Sequence, residues 1–418
     1  MGFFDKLFKK DKKEGAPAKA APAAEPKAAP AKAAAPAPAA AAPAAEGEET
    51  IGLPMADLGE LLPGAPPGGK FKLAIYWAAA CGGCDVSILD TNERILTVGD
   101  MADIVMWPVA ADGKEKDIEA MADGEILVSL ISGAVRNTEN EHMVKLLRQK
   151  SKVVVAYGTC ACFGGSPALA NLVPGESKEI LEYVYTKTPT SANFQNEYHK
   201  DAPVFPQKNI TVPEGELTLP VLFDTVKTLD QVIDVDYYIP GCPPLQESIS
   251  QLLKAVADFA YNGVPLPPKG TEVGVTTKTL CEECPRHKEN LRISHIYEPH
   301  EVDVKPDVCL MDQGILCLGP ATVGGCGARC TRVGQPCRGC YGPTADVQEH
   351  GASVFTAIAS MFPIREDDGI IGEDEIVKIM AEVKDPLGYF YAFTLGKSLI
   401  KKAVVEGGQS NGRTNHLG

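Results

Sequence analysis

The sequence has no apolar run long enough to span a bilayer: its longest, such as DIVMWPVAA at 103–111, fall well short of the roughly 20 residues a spanning helix needs. Basic charge is also in deficit. With 40 Lys and Arg against 55 Asp and Glu, the formal net charge is −15, which excludes a role resting on non-specific nucleic-acid binding. The opening MGFFDKLFKKDKKEG contains neither the apolar stretch nor the twin arginine of an export signal, so a cytoplasmic location is expected. Lys6 stands where a myristoylation signal needs Ser or Thr. The glycine-rich GTCACFGG lacks both the GK[ST] of a P-loop and the GxGxxG of a dinucleotide site. Nucleotide binding is not indicated.

Core-forming residues are nearly missing from residues 15–50, which are almost all Ala, Pro, Lys and Glu. Such a composition does not offset the entropy of ordering, and residues 1–50 are expected to form a disordered tail. At its start Phe4, Leu7 and Phe8 share one face of a short amphipathic helix, among Lys6, Lys9, Lys10, Lys12 and Lys13. Weak docking on a membrane surface or partner is one reading of that decamer, and a solvated tail is the other.

From residue 70 the pattern changes. FKLAIYWAA, DIVMWPVAA, EILVSLISGAV, KVVVAYG and DVDYYIPG are short Val- and Ile-rich runs, mostly followed by amphipathic stretches. This predicts the buried parallel strands of an α/β sheet over residues 70–265. Loops beyond the carboxyl ends of such strands gather on one edge. Cys81, Cys84, Ser132, Gly133, Cys160 and Cys242 lie in those loops and are expected to converge. A polar, Pro-containing segment at 172–232 interrupts the pattern and is read as an insertion or partner-facing excursion. PLPPKG marks a boundary, and residues 266–345 hold eight cysteines but few apolar runs, the composition of a domain organised by metal. Residues 346–418 are read as a helical extension with a Gly-containing tail.

Thirteen cysteines without an export signal favour metal sites over a disulfide framework. Twelve of them divide into fours. Cys81 and Cys84 of a CxxC join Cys160 and Cys242; Cys281 and Cys284 join Cys309 and Cys317; Cys326 and Cys330 join Cys337 and Cys340. Only Cys162 is left over. A 4Fe-4S cubane takes four thiolates, and CxxC spacing brings two of them to adjacent irons. Paired CxxC motifs also describe structural zinc, and a colourless zinc-organised scaffold is the rival reading. The first set runs from Cys81 to Cys242 on the loops of a sheet, unlike a zinc knuckle, which favours clusters. Asp85 is expected to cap a helix, and His287, His295 and His300 to serve as surface or packing residues.

In order along residues 70–345, CGGC, GTCA, PGCPP, CLMDQGILCLGP and PCRGCYGP resemble the small subunits of nickel-iron hydrogenases. VPEGELTLP and TLDQVIDVDYYIPGCPP are similar to the cytoplasmic methyl-viologen-reducing type of methanogenic archaea and some bacteria. The resemblance implies a flavodoxin-like domain with a proximal cluster on Cys81, Cys84, Cys160 and Cys242. It further implies a distal cluster on Cys281, Cys284, Cys309 and Cys317 and a medial one on Cys326, Cys330, Cys337 and Cys340. Membrane-bound relatives typically have His at the first distal position and a three-iron medial cluster; Cys281 and Cys330 here point to three cubanes. Asp85 replaces the Glu often found after the CxxC, so no proton role carries over.

The function implied is relay of electrons from dihydrogen oxidation in a large subunit holding the nickel-iron centre. The implied onward partners are an iron-sulfur adaptor subunit and a heterodisulfide reductase. A related hydrogenase reducing NAD(P) or a deazaflavin is the alternative. Quinone-reductase-like relatives keep only the proximal cluster, whereas two further complete cysteine sets are present here.

Overall fold

The computed structural model describes residues 65–173, 175–193, 206–362 and 372–400. The amphipathic start, the Ala/Pro-rich tail and the final Gly-containing stretch lie outside the described residues.

Five parallel strands form the central sheet: β1 (Phe71–Trp77), β2 (Ala102–Met106), β3 (Ile126–Ser132), β4 (Ser151–Tyr157) and β5 (Tyr237–Ile239), in the order β2-β1-β3-β4-β5. This is the doubly wound order of flavodoxin-like sheets. The strands are apolar almost without alternation because both faces are covered. Ala74 and Tyr76 of β1 and Val154 and Ala156 of β4 enter one core, while Leu73, Ile75, Val155 and Tyr157 enter the other.

Helix Thr138–Lys150 covers the first face with Met143, Val144 and Leu147. It starts where Asn137 Oδ1 accepts the backbone N–H of Asn140 at 2.8 Å, a side-chain cap. Helix Gln246–Asn262 lays Ile249, Leu252 and Val256 on the second face and stops at Gly263 in the left-handed conformation. Within the segment read as an insertion, Leu222–Lys227 pairs antiparallel with Val135–Asn137, and Asn209–Val212 forms a hairpin with Gly215–Thr218.

At the base of the sheet Asp236, 3% exposed, accepts Arg148 at 2.6 Å, Lys269 at 2.5 Å and the Val154 N–H at 2.8 Å. Burial alone would push its carboxyl up, but Lys269 and Arg148 hold it below the usual range. Its stabilising contribution is therefore fully present above the unfolded carboxyl's pKa of about 4 and is lost as pH falls through the lower folded value. Asp236→Asn is expected to cost about 3 kcal/mol at neutral pH. Thermal melts at pH 7 and pH 3 check this, with the gap between the two proteins narrowing at the lower pH.

The cysteine-rich region does not close its core alone; the C-terminal segment shares it. Val354 and Ile358 of helix His350–Ala359, Ile379 and Met380 of Glu373–Met380, and Phe390 share one core with Leu280, Ile293, Met311, Leu316 and Leu318. The segment then returns to the sheet, where Gly165 N–H donates to Phe393 O at 3.1 Å.

Candidate metal centres

Three strand ends build the first site. Beyond β1 the chain turns through Cys81 and Gly82, at φ +87°, into helix Gly83–Leu89, which carries Cys84. Beyond β4 it turns at Gly158 into helix Thr159–Phe163, which carries Cys160, and beyond β5 it passes Gly241 to Cys242. Backbone bonds lace these loops together: Gly158 N–H to Ile239 O at 2.7 Å and Thr159 N–H to Gly241 O at 2.9 Å. Burial pushes the Cys160 thiol up to about 12, and the charges of Cys242 and Cys81 add to it. Cys84 is pushed up in the same way, by burial first and then by Cys160 and Cys242. The charges of Cys160, Cys242 and Cys81 all act on Cys84, which makes the four sulfurs neighbours.

Cys162 is not among them. Two residues along a helix turn the side chain about 200°, so Cys162 enters the core beneath the sheet, fully buried, and donates its S–H to Ala156 O at 3.3 Å. Beyond burial, the charges that act on it are Lys397, Glu272 and Asp230 rather than the other cysteines. Cys160→Ser is expected to remove roughly a third of the bound iron and Cys162→Ser almost none. Iron assays on both variants check this, and the reverse outcome would exchange their roles.

The second site lies beyond the sheet. Cys281 sits in the one-turn helix Leu280–Glu283 with Cys284 just after it. Burial pushes Cys281 up to about 11, Lys288 opposes this, and Cys309 and Cys284 add to it. Burial also raises Cys317 to about 12, with Cys281 and Cys309 contributing. Cys284 donates its S–H to Thr331 Oγ1 at 3.2 Å.

Cys326, Cys330, Cys337 and Cys340 stand between the other two sets. Burial pushes Cys340 up to about 12, and the charges adding to it come from Cys326, Cys330 and Cys242 of the first set. Thr159 ties the two sites: its hydroxyl donates to Cys340 O and accepts the Gly241 N–H at 3.1 Å. On the far side Cys337 N–H donates to Cys317 Sγ of the second set at 3.2 Å.

Asp85 is not a helix cap. Gly82 occupies the N-cap position, and the Asp85 carboxylate turns inward, 2% exposed, to accept Trp107 Nε1–H at 2.9 Å. Residue preference favours Asp at a helix start, but the left-handed turn there admits glycine more readily. His287 pairs with Glu289 at 3.3 Å and His295 with Glu382 at 2.8 Å, both on the surface, and His300 is exposed. The sequence pattern does not single out His350, which is buried with its ring nitrogens 3.2 Å from Thr322 Oγ1 and 3.4 Å from Thr394 Oγ1.

Residues 81–256 match the family described as NADH ubiquinone oxidoreductase, 20 Kd subunit. Over 341 residues the chain is 38% identical to the iron-sulfur subunit of the F420-non-reducing hydrogenase of Archaeoglobus profundus, covering 80% of this chain and 99% of the relative. The chain belongs to the family of F420-non-reducing hydrogenase iron-sulfur subunits. The corresponding F420-non-reducing hydrogenase subunit of Methanothermobacter marburgensis is 37% identical over 344 residues, 81% of this chain and 99% of the relative. That of the vhu F420-non-reducing hydrogenase of Methanocaldococcus jannaschii is 35% identical over 331 residues, 79% and 97%. As a member of this family, the chain is the small, electron-transferring subunit of a nickel-iron hydrogenase, an oxidoreductase acting on hydrogen whose catalytic site resides in a large partner subunit. No helix among its described residues is long and apolar enough to cross a membrane.

Hydrogenase small subunits of this family bind iron-sulfur clusters, and the sites in this chain fit such groups. A Cβ on Gly158 would lie 2.3 Å from Cys84 Sγ, and one on Gly165 2.5 Å from Cys160 Sγ, so the backbone is bare where a cluster must approach. A Cβ on Gly319 would lie 3.1 Å from Cys281 Sγ and 3.6 Å from Cys317 Sγ. Buried thiols crowded together resist ionising on their own, and a cationic iron core supplies the charge that lets them bind as thiolates.

Proposed function

We propose that this chain holds three 4Fe-4S clusters and passes electrons one at a time from a nickel-iron large subunit toward an external acceptor. The proximal cluster would be held by Cys81, Cys84, Cys160 and Cys242, the medial by Cys326, Cys330, Cys337 and Cys340, and the distal by Cys281, Cys284, Cys309 and Cys317. The observation that carries the reading is the place of the Cys326–Cys340 set, bonded to the first set through Thr159 and to the second through the Cys337 amide. Electron transfer slows steeply with separation, so an intermediate station between two others makes a relay.

Sulfur spacing supports cubanes over zinc. Among the described residues the one group of three ligand atoms within 4.8 Å of one another is Glu115, Glu119 and His142; no three cysteine sulfurs are so close. A tetrahedral zinc with Zn–S near 2.3 Å requires sulfurs about 3.8 Å apart, whereas a cubane binds each thiolate to a different iron and spreads them. Cys81 and Cys242 are exposed at the sheet edge and suit a contact with the large subunit.

The cluster supplies one-electron redox chemistry when bound. The protein's part is to exclude water around Cys84, Cys160, Cys317 and Cys337, and to aim N–H groups at sulfur, as Gly339 does toward Cys337 Sγ at 3.4 Å. For the acceptor we favour an iron-sulfur adaptor of a heterodisulfide reductase, in keeping with relatives whose names exclude F420, a deazaflavin, as the molecule reduced. Anaerobic purification through a tag on this chain tests the reading. A nickel-containing subunit, hydrogen-dependent viologen reduction and the adaptor should co-purify. A complex without nickel overturns it, and a flavin subunit binding NAD(P) would redirect the acceptor.

A further inference from the structure

Glu283 lies between two cysteines of the distal set, in the sequence Cys281-Glu-Glu-Cys284, yet its carboxylate does not serve that loop. Its neighbour Glu282 turns to the surface and accepts the Thr279 N–H at 3.0 Å, capping the helix turn. Glu283 turns inward, 6% exposed, and crosses to the medial loop. There Oε1 accepts the Gly325 N–H at 2.6 Å and Oε2 the Gly327 N–H at 3.0 Å. These are the amides of the two residues that flank Cys326. Thr276 Oγ1 lies 3.4 Å from Oε1, and a Cβ on Gly324 would lie 2.5 Å from the same oxygen, so the glycine loop is shaped around the carboxylate.

A side chain that takes both amides around one cysteine fixes where that sulfur points. Two charge-assisted bonds in a dry site hold the loop far more firmly than neutral ones would. The same carboxylate places a negative charge beside the sulfur. A fixed negative charge beside an iron-sulfur cluster opposes the entry of an electron and lowers its reduction potential.

We propose that Glu283 is a positioning residue for the medial cluster, orienting Cys326 from within the distal ligand loop and holding that cluster's potential down by its charge. The inference rests on the reading that the Cys326 set carries a cluster. One residue thereby links two sites: a shift of the distal CxxC loop moves the medial ligand with it.

The test is a redox titration followed by electron paramagnetic resonance on the intact hydrogenase complex. Signals are first assigned in the wild type by their loss in Cys326→Ser and in Cys309→Ser. If Cys326→Ser removes no signal and no iron, the three-cluster reading fails, independently of Glu283. With the signal assigned, Glu283→Gln is expected to raise the midpoint potential of the Cys326 cluster and leave the Cys309 cluster in place. Full iron with an unchanged Cys326 potential, or a shift confined to the Cys309 cluster, overturns the proposal. Where the glutamine variant instead loses iron, the proposal requires that the Cys326 cluster be the one lost and that Glu283→Asp, which keeps the charge, restore part of it. Loss of the Cys309 cluster, or no recovery with aspartate, overturns it.

Discussion

Gly158→Ala is expected to abolish the proximal cluster. At φ +85° and ψ 158° Gly158 occupies a conformation open essentially to glycine alone. A Cβ there would lie 2.3 Å from Cys84 Sγ, a distance that forces either the sulfur or the turn to move. The turn cannot move cheaply, because Gly158 N–H is bonded to Ile239 O and the next residue, Thr159, is bonded to Gly241 O and Cys340 O. Displacing it disturbs Cys160 and Cys242 together. About four irons should be lost, with hydrogen-dependent dye reduction falling to background, since the first station beyond the nickel-iron centre is removed. Gly99→Ala provides the comparison: Gly99 lies within helix Arg94–Met101 with nothing within 4 Å of its added Cβ. That variant should keep its iron and gain about 0.5–1 kcal/mol of stability. Full iron in Gly158→Ala would mean that Cys84 does not face the site.

Arg286→Met should destabilise the cysteine-rich region by about 3–5 kcal/mol and release its iron more quickly. Arg286 is 7% exposed, and its guanidinium donates to Thr331 O at 2.6 Å, Lys305 O at 2.7 Å and Val308 O at 2.9 Å. Two of these carbonyls adjoin proposed ligands: Thr331 follows Cys330 and its hydroxyl accepts the Cys284 thiol, and Val308 precedes Cys309. Methionine keeps the apolar stem and removes the charged donors, leaving Thr331 O only the Gly334 N–H at 3.2 Å, and Lys305 O and Val308 O only Gln313 Nε2 at 3.3 and 3.0 Å. Lysine should rescue little, because an ammonium does not reproduce the planar fork. The apparent melting temperature and the rate of iron transfer to a chelator measure the effect. A variant as stable as wild type would show that the ligand loops are held by the metal alone.

The sheet was legible in the sequence because burial on both faces writes itself as unbroken apolar runs, and Gly and Cys after those runs marked the edge where ligands gather. Counting fours proposes the cysteine sets but does not choose between Cys160 and Cys162; in the structure Cys160 neighbours Cys242 and Cys81, and Cys162 bonds Ala156 O in the core. Other features had no local signal. Glu283 reads as one of many surface acids until its partners, the Gly325 and Gly327 amides, are seen across a fold that sequence spacing does not encode. Reading 346–418 as a helical extension does not show that Val354 and Ile358 complete the core around the cysteine loops. Asp85 misled because residue preference describes a typical helix start, and here a left-handed glycine makes the turn.

The central claim is that this chain carries three cubanes, and inorganic sulfide tests it most directly, because the nickel-iron centre of the large subunit contributes none. Iron, sulfide and zinc are to be measured on the anaerobically purified complex of this chain with its large subunit. About twelve sulfides per chain with little zinc are expected; stoichiometric zinc without sulfide, or a sulfide count near four, would contradict the account.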